Sequence, residues 1–206
     1  MKKSFRLYIS FVLWAMIASA SALAAPAVYT VRAGDSLWKI AVKYEIGLSE
    51  IKTANPGIKN FDLIYPGDKI NIPEASSLKS LEDEVIRLVN VERANRGLPA
   101  LTAHWELSRV ARYKSQDMID KKYFSHESPT YGSPFNMIES FGIRYTAAAE
   151  NIAYGQKTPA DVMRTWMNSP GHRSNILAAN VTHIGVGAAK AGNGTLYWTQ
   201  MFIRPR

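Results

Sequence analysis

Residues 166–177 read WMNSPGHRSNIL, and this segment joins the end of a helix to a polar turn. Met163 and Trp166 are apolar residues at helical spacing. Because proline disfavours a helical conformation in the residue before it, we expect this helix to stop before Pro170. His172 follows among glycine, serine and asparagine, which predicts a loop. Binding side chains concentrate on such loops, so His172 is a candidate site residue.

Two upstream segments have the same polar character. Residues 124–126 read FSH and residues 149–152 read AENI. They add His126 and Glu150 to His172 as candidate catalytic residues, because two imidazoles and a carboxylate can perform general acid–base chemistry. The two histidines could also bind a divalent metal such as zinc. Purely structural roles stay open, since histidines can cap turns and a carboxylate can accept hydrogen bonds from backbone amides.

Helical patterns surround these segments. A first helix, with an apolar stripe, is predicted to open at a capping box made by Ser80 and Asp83. A second helix is predicted over about 106–121 and a short third one over 136–141. A fourth begins at Thr158, which offers an N-cap before a proline at the first helical position.

The last part of the chain is strand-like. Residues 184–187 and 196–202 are rich in strand-forming residues and flank the turn AGNG at 191–194. We expect the aromatic residues of the second strand to lie in the core of a sheet. Helices that flank such strands predict an α+β fold, an α-β-α sandwich.

Residues 29–73 carry a separate pattern that predicts the order strand–helix–helix–strand. They begin YTVRAGDSLW, where Gly34 turns the chain and Asp35 is placed to cap a helix starting near Ser36. They end with PGDKINIP at 66–73, a turn followed by a closing strand.

Both halves resemble known families. The GDSLW start, the central Asn-Pro and the PGDKINIP end of residues 29–73 resemble a LysM carbohydrate-binding module over its whole length. The segments around His126, Glu150 and His172 resemble, in the same order, the CAP superfamily (SCP domain) in its bacterial form. The resemblance implies a small βααβ LysM module followed by an α-β-α sandwich of the CAP fold.

The CAP resemblance implies a cleft with two histidines and two acidic residues. His126, Glu150 and His172 match three of these four positions. Ser169 stands where eukaryotic members carry the second acid. Thus the resemblance implies the cleft but does not establish a metal site or a protease, and the CAP ligand or protein partner stays unknown.

The LysM resemblance implies binding to glycans that contain N-acetylglucosamine, including peptidoglycan. It places the groove between the first strand–helix loop and the loop that enters the last strand. Seven residues form these loops: Gly34, Asp35, Ser36, Ile64, Tyr65, Pro66 and Gly67. The two glycines are also expected to serve as turn residues. Trp38 and Ile40 are expected in the core rather than on the sugar.

Composition narrows the class of protein. The chain has 206 residues, a formal charge of +8 and no cysteine. The absence of cysteine excludes disulfides, thiol nucleophiles and cysteine metal ligands. A basic exported chain fits an anionic cell wall better than nucleic acid, so no nucleic-acid partner is expected.

Residues 1–24 have the pattern of a signal peptide, with Lys2 and Lys3 before an apolar run and Ala22-Leu23-Ala24 at the cleavage site. The expected divisions are a LysM module at 25–73, a linker at 74–80 and a CAP domain at 81–206. We therefore expect a secreted protein of the cell wall or spore envelope, without a stable membrane anchor.

Three functions are compatible with this reading. The first is a wall-bound protein that presents a CAP cleft to a ligand or partner. The second is a cell-wall or peptide hydrolase that uses the cleft, and the third is a structural component of an envelope or spore coat. No cofactor is required, although zinc in the cleft is an option, and the sequence leaves enzymatic activity open.

Overall fold

The computed structural model describes residues 27–73 and 78–206. The predicted signal peptide and its cleavage site therefore lie outside the described residues, as do positions 74–77 of the predicted linker. Within the described part of the chain, no helix is both long and apolar enough to cross a bilayer.

The first domain has the predicted order of elements. These are β1 (Ala27–Thr30), α1 (Leu37–Tyr44), α2 (Leu48–Ala54) and β2 (Lys69–Ile72). The two strands pair antiparallel, with Ala27 opposite Ile72 and Thr30 opposite Lys69. Both helices pack on this pair through a small core that includes Ile40, Ile51 and Ile70.

Two local predictions in this domain were wrong. Ser36, not Asp35, is the N-cap of α1, because its Oγ accepts a hydrogen bond from the Lys39 amide at 3.2 Å. The Asp35 carboxylate is instead held by the Arg32 amide at 2.8 Å and the Tyr29 hydroxyl at 2.7 Å. Trp38 is 60% exposed rather than buried, since it lies on the outer side of α1.

The second domain is larger. Its elements are α3 (Lys79–Ala94), β3 (Thr102–Ala103), α4 (Trp105–Asp120), α5 (Pro134–Ser140), β4 (Tyr145–Tyr154), α6 (Pro159–Asn168), α7 (Pro170–Ile176), β5 (His183–Lys190) and β6 (Leu196–Pro205). The sheet has the order β3-β5-β6-β4, in which β3 runs parallel to β5 and the other pairs are antiparallel.

The alternation of side chains along β5 builds the predicted α-β-α sandwich. Ile184 and Val186 point to the core layer shared with α3, α6 and α7. Gly185 and Gly187 point to α4, whose backbone approaches so closely that a Cβ at either glycine would overlap it. The four predicted helices are present as α3 to α6, and a turn over 191–194 joins β5 to β6.

The structure departs from the sequence prediction at three elements. The predicted capping box is absent: α3 begins at Lys79, two residues inside the predicted linker, and its N-cap Leu78 makes no side-chain capping bond. Glu150 lies within β4 and His172 within α7, not in loops. Proline favours the first position of a helix, so α7 begins at Pro170 directly after α6 ends. Alanine has a low strand propensity, so the sequence around Glu150 does not indicate a strand, and β4 forms there because it pairs with β6.

Candidate functional site

A histidine–carboxylate pair lies at the centre of the predicted cleft. His126 follows α4 in a loop, whereas Glu150 projects from β4. A hydrogen bond of 2.7 Å joins His126 Nδ1 to Glu150 Oε1. The Glu150 side chain is 2% exposed and that of His126 is 52% exposed, so one end of the pair is buried and the other faces solvent. The structure therefore brings His126 and Glu150 into direct contact.

The surroundings of the pair favour a bound proton. The hydrogen bond that His126 donates to the negatively charged Glu150 raises the pKa of His126 above the ordinary value. Burial raises the pKa of Glu150, although His126 and Lys114 oppose that shift. Both directions mean that the folded protein holds a proton at this pair more tightly than separate side chains in water would.

A buried lysine, Lys114, contacts the His126 loop and interacts with the charge of Glu150. Lys114 on α4 is fully buried, and its Nζ donates to the backbone oxygen of His126 at 2.6 Å and to the Tyr123 hydroxyl at 3.2 Å. Burial lowers the pKa of Lys114. Since its charge also interacts with Glu150, this lysine links the position of the His126 loop to the ionisation of the carboxylate.

Asp117 completes this buried network. Its carboxylate accepts hydrogen bonds from the hydroxyls of Tyr123 at 2.6 Å, Ser128 at 2.7 Å and Thr130 at 2.6 Å. Burial by itself would raise the pKa of Asp117, but these hydrogen bonds outweigh it and lower the pKa. The loop that carries His126 is thus fixed to α4 at several points. The sequence analysis did not identify Lys114 or Asp117, because both occupy ordinary helical positions.

His172 lies beside the pair on α7. Asn151 holds it in place, donating through Nδ2 to the backbone oxygen of His172 at 3.1 Å. Asn175, one turn later, donates to the backbone oxygen of Glu150 at 3.1 Å and to Asn151 Oδ1 at 2.8 Å. Burial lowers the pKa of His172, and the charge of His126 lowers it further. The pKa values of the two histidines are therefore shifted in opposite directions.

Two polar atoms of this cluster are buried without a hydrogen-bond partner. They are Glu150 Oε2 and His172 Nδ1. Buried polar groups in proteins are nearly always paired, so orphan atoms at a cleft indicate a place where a ligand or water binds. These atoms offer an acceptor and a nitrogen of either hydrogen-bonding role.

An open pocket of about 330 Å³ lies over the pair. Its lining is His126, Glu127, Ser133, Pro134, Phe135, Ala148, Ala149, Glu150 and Asn175. His172 is not among the lining residues, although its neighbour one turn along, Asn175, is. Two of the three predicted catalytic residues thus share one pocket and the third flanks it.

The same residues bear on the metal prediction. The described residues contain no group of three or more histidine, aspartate or glutamate side chains arranged to hold a metal ion. His126 Nδ1 is already bonded to Glu150, so its Nε2 and the His172 ring are fewer ligands than a protein zinc site ordinarily uses. Zinc binding stays a prediction, and so does an acid–base role for His126, Glu150 and His172.

Ser169 and the C-terminal aromatics have structural positions. Ser169, at the place of the missing acid, is the residue between α6 and α7. Trp198 and Phe202 are fully buried in the sheet as predicted. Tyr197 is only partly buried and stacks on the exposed Tyr154, with ring centroids 5.5 Å apart.

The predicted glycan groove of the first domain contains a pocket of about 240 Å³. Its lining is Asp35, Ser36, Leu37, Trp38, Leu48, Lys52, Phe61, Asp62 and Ile64. Three of the seven predicted residues, Asp35, Ser36 and Ile64, line it. The predicted turn glycines Gly34 and Gly67 adopt positive φ angles of 84° and 101°, which favour glycine.

The remaining predicted groove residues lie beside this pocket rather than in it. Tyr65 is 61% exposed, and its amide donates to Asp68 Oδ2 at 2.8 Å. Pro66 and Gly67 form the turn that brings the chain into β2, where the Gly67 amide donates to the Val31 oxygen. The pocket gains Trp38 and Phe61 instead, two aromatic residues that the sequence analysis did not assign to the groove.

Comparison with known proteins agrees with this architecture. The protein called "Uncharacterized protein YkwD" of Bacillus subtilis is 57% identical over 128 residues, which cover 62% of this chain and 49% of that protein. "Uncharacterized membrane protein YlbC" of the same organism is 33% identical over 172 residues, covering 79% of this chain and 48% of that protein. The chain thus spans about half the length of these relatives.

A solved structure gives the same result for the fold. It is an extracellular protein containing a SCP domain from Bacillus anthracis, with a TM-score of 0.57 and 30% identity. The likeness covers 68% of this chain and 47% of the other.

Two family models match the chain. The model of the LysM domain matches residues 29–73, and the model of the cysteine-rich secretory protein family, CAP, matches residues 86–202. The chain therefore belongs to the CAP family and carries a LysM domain before its CAP domain.

Proposed function

We propose that this is an exported protein of the cell wall that binds peptidoglycan, through N-acetylglucosamine, with its LysM domain. The observation that carries the proposal is the LysM groove. It combines aromatic and aliphatic walls at Trp38, Phe61 and Ile64 with polar groups at Ser36 and Asp62. Sugar rings present apolar faces and polar edges, so such a lining suits them. A spore-envelope location stays a prediction.

Co-sedimentation with purified peptidoglycan tests this function. The unmodified protein should appear in the pellet, and Ile64→Gln should shift it towards the supernatant because the groove loses an apolar wall. Leu63→Gln is the matched control, since Leu63 is 56% exposed and does not line the pocket. An unmodified protein that stays in solution would overturn the function. Equal pelleting of Ile64→Gln would overturn the assignment of the groove.

The CAP cleft supports ligand binding as the role of the second domain. Glu150, which lines the pocket, has an unpartnered buried oxygen, Oε2, and the unpartnered buried His172 Nδ1 lies in the same cluster. A ligand that donates a hydrogen bond to the carboxylate oxygen would satisfy the first of them. In this proposal the LysM domain holds the protein on the wall while the cleft binds a small polar ligand or a segment of a partner.

A wall or peptide hydrolase is the second candidate function. It is favoured by the His126–Glu150 pair, whose raised pKa values suit a group that gives and takes protons. Mass spectrometry of soluble products after incubation with peptidoglycan tests it. Fragments formed by the unmodified protein but not by Glu150→Gln would establish the hydrolase. Fragments formed equally by both would exclude this cleft as their source, and the absence of fragments would leave binding as the role.

A further inference from the structure

The LysM groove has a neighbour at the junction of the two domains. A second pocket, of about 170 Å³, lies there. Its lining is Trp38, Ala41, Val42, Ile46, Gly47, Leu48, Trp105, Glu106, Arg109, Phe141 and Ile143. Trp38 and Leu48 line both pockets, so the two depressions share a wall. The two pockets are therefore adjacent, with Trp38 and Leu48 common to both.

The junction pocket has a chemistry similar to that of the groove. Trp38 and Phe141 supply aromatic surface from opposite domains, and Trp105, the first residue of α4, adds a second indole from the CAP side. Glu106 and Arg109 supply charged groups at the same place. A pocket that combines aromatic faces with a few polar groups suits a sugar better than it suits a purely apolar ligand.

The two domains are held together where this pocket forms. The Arg109 guanidinium of α4 makes an ion pair with Glu50 of α2, with Nε 3.1 Å from Oε1. Lys79 of α3 makes a second one with Glu45, at 3.1 Å. Gly47 packs so tightly that a Cβ there would overlap the Arg109 side chain. These contacts fix the wall of the junction pocket relative to the groove.

We propose that the glycan site extends across the domain junction, so that a chain longer than the LysM groove continues past Trp38 and stacks on Trp105 of the CAP domain. This proposal rests on the proposed LysM function. It adds that the CAP domain takes part in glycan recognition, and that the protein selects long N-acetylglucosamine-containing chains over short ones.

Isothermal titration of the full chain with N-acetylglucosamine oligosaccharides tests the proposal. The octasaccharide should bind the unmodified protein more tightly than the trisaccharide. Trp105→Ala should weaken octasaccharide binding by about tenfold, equivalent to roughly 1.4 kcal/mol, and leave trisaccharide binding unchanged. Trp105→Phe should keep most of the octasaccharide affinity, because it preserves a stacking surface.

Each other outcome has a defined meaning. Equal octasaccharide affinity of the unmodified and Trp105→Ala proteins would overturn the extended site while leaving the LysM groove intact. An equal loss for both oligosaccharides would also overturn it, since Trp105 would then not act at a subsite that only the longer chain reaches. Failure of the unmodified protein to bind either oligosaccharide would instead defeat the proposed LysM function. Gln116→Ala, an exposed change on the same helix, serves as the control.

Discussion

The Nδ1 atom of His126 lies 2.7 Å from Oε1 of Glu150, and this contact ties the loop after α4 to β4 at the edge of the sheet. One partner is buried and the other is half exposed. The imidazole therefore faces solvent at the pocket while the carboxylate stays shielded from water. Its properties can be measured without knowing that ligand.

The pKa values of the two cleft histidines should lie on opposite sides of the ordinary histidine pKa of about 6.5. His126 should titrate above it because of its hydrogen bond to Glu150, and His172 below it because of burial. Heteronuclear NMR of the imidazole nitrogens across pH measures both. Glu150→Gln should lower the pKa of His126. An unchanged His126 titration in that variant would contradict the role of the pair.

The same shift should make stability depend on pH. A histidine whose pKa is raised on folding stabilises the protein fully below the unfolded pKa of about 6.5, and the contribution is lost as pH rises through the folded value. The difference in unfolding free energy between the unmodified protein and His126→Gln should thus shrink as pH rises above about 6.5. Urea unfolding at several pH values measures it. A difference that grows with pH would show that folding lowers the pKa of His126 instead of raising it.

Lys114→Met should destabilise the protein by about 3 kcal/mol, because removing one partner from a buried charged network leaves the others uncompensated. The variant removes the donors to the His126 oxygen and to Tyr123, and takes away the charge near Glu150. Since that charge lowers the pKa of His126, the His126 titration should also move upward. Lys121→Met, at an exposed position, should change stability by less than about 0.5 kcal/mol. Equal effects of the two variants would argue against the network.

Gly187→Ala tests the close approach of α4 to β5. The added methyl would overlap backbone atoms of Ala111 and Arg112, so the helix must move away from the sheet. We expect a loss of about 1–3 kcal/mol in thermal or urea unfolding, as for overpacked cores. Gly192→Ala is the matched control, because nothing lies within 4 Å of its added Cβ. A stable Gly187→Ala protein would mean that α4 packs less closely than the structure indicates.

Asn55 tests the stability of the LysM domain. Its buried side chain donates to the backbone oxygens of Ile51 and Asn71, each at 2.8 Å, and accepts from the Asn71 amide at 2.7 Å. Asn55→Asp keeps the shape but loses the donors, so we expect a loss of about 2 kcal/mol. Amide hydrogen exchange in β2 measures it, because this bond network joins α2 to β2. Asn60→Asp, at an exposed position, is the control and should leave exchange in β2 unchanged.

Much of the architecture follows from the sequence. Turn glycines such as Gly34 and Gly67, the helical stripe that contains Val85 and Val89, and the order of the polar segments depend on local spacing. The domain order and the fold class were therefore predictable. Local rules also placed caps incorrectly, as at Asp35 and Ser80, where a hydrogen bond to another partner or an earlier helix start takes precedence.

The sequence by itself determined the two families and the βααβ and α-β-α folds, and it predicted His126, Glu150 and His172 as cleft residues, of which the first two line the CAP pocket. Only the tertiary structure decided that Glu150 lies on a strand, that Lys114 is buried beneath His126 and that Trp38 is exposed between two pockets. These features depend on contacts between residues far apart along the chain. Burial and pairing across the sheet and the domain junction set them, and neither periodicity nor motif spacing records which segments will meet.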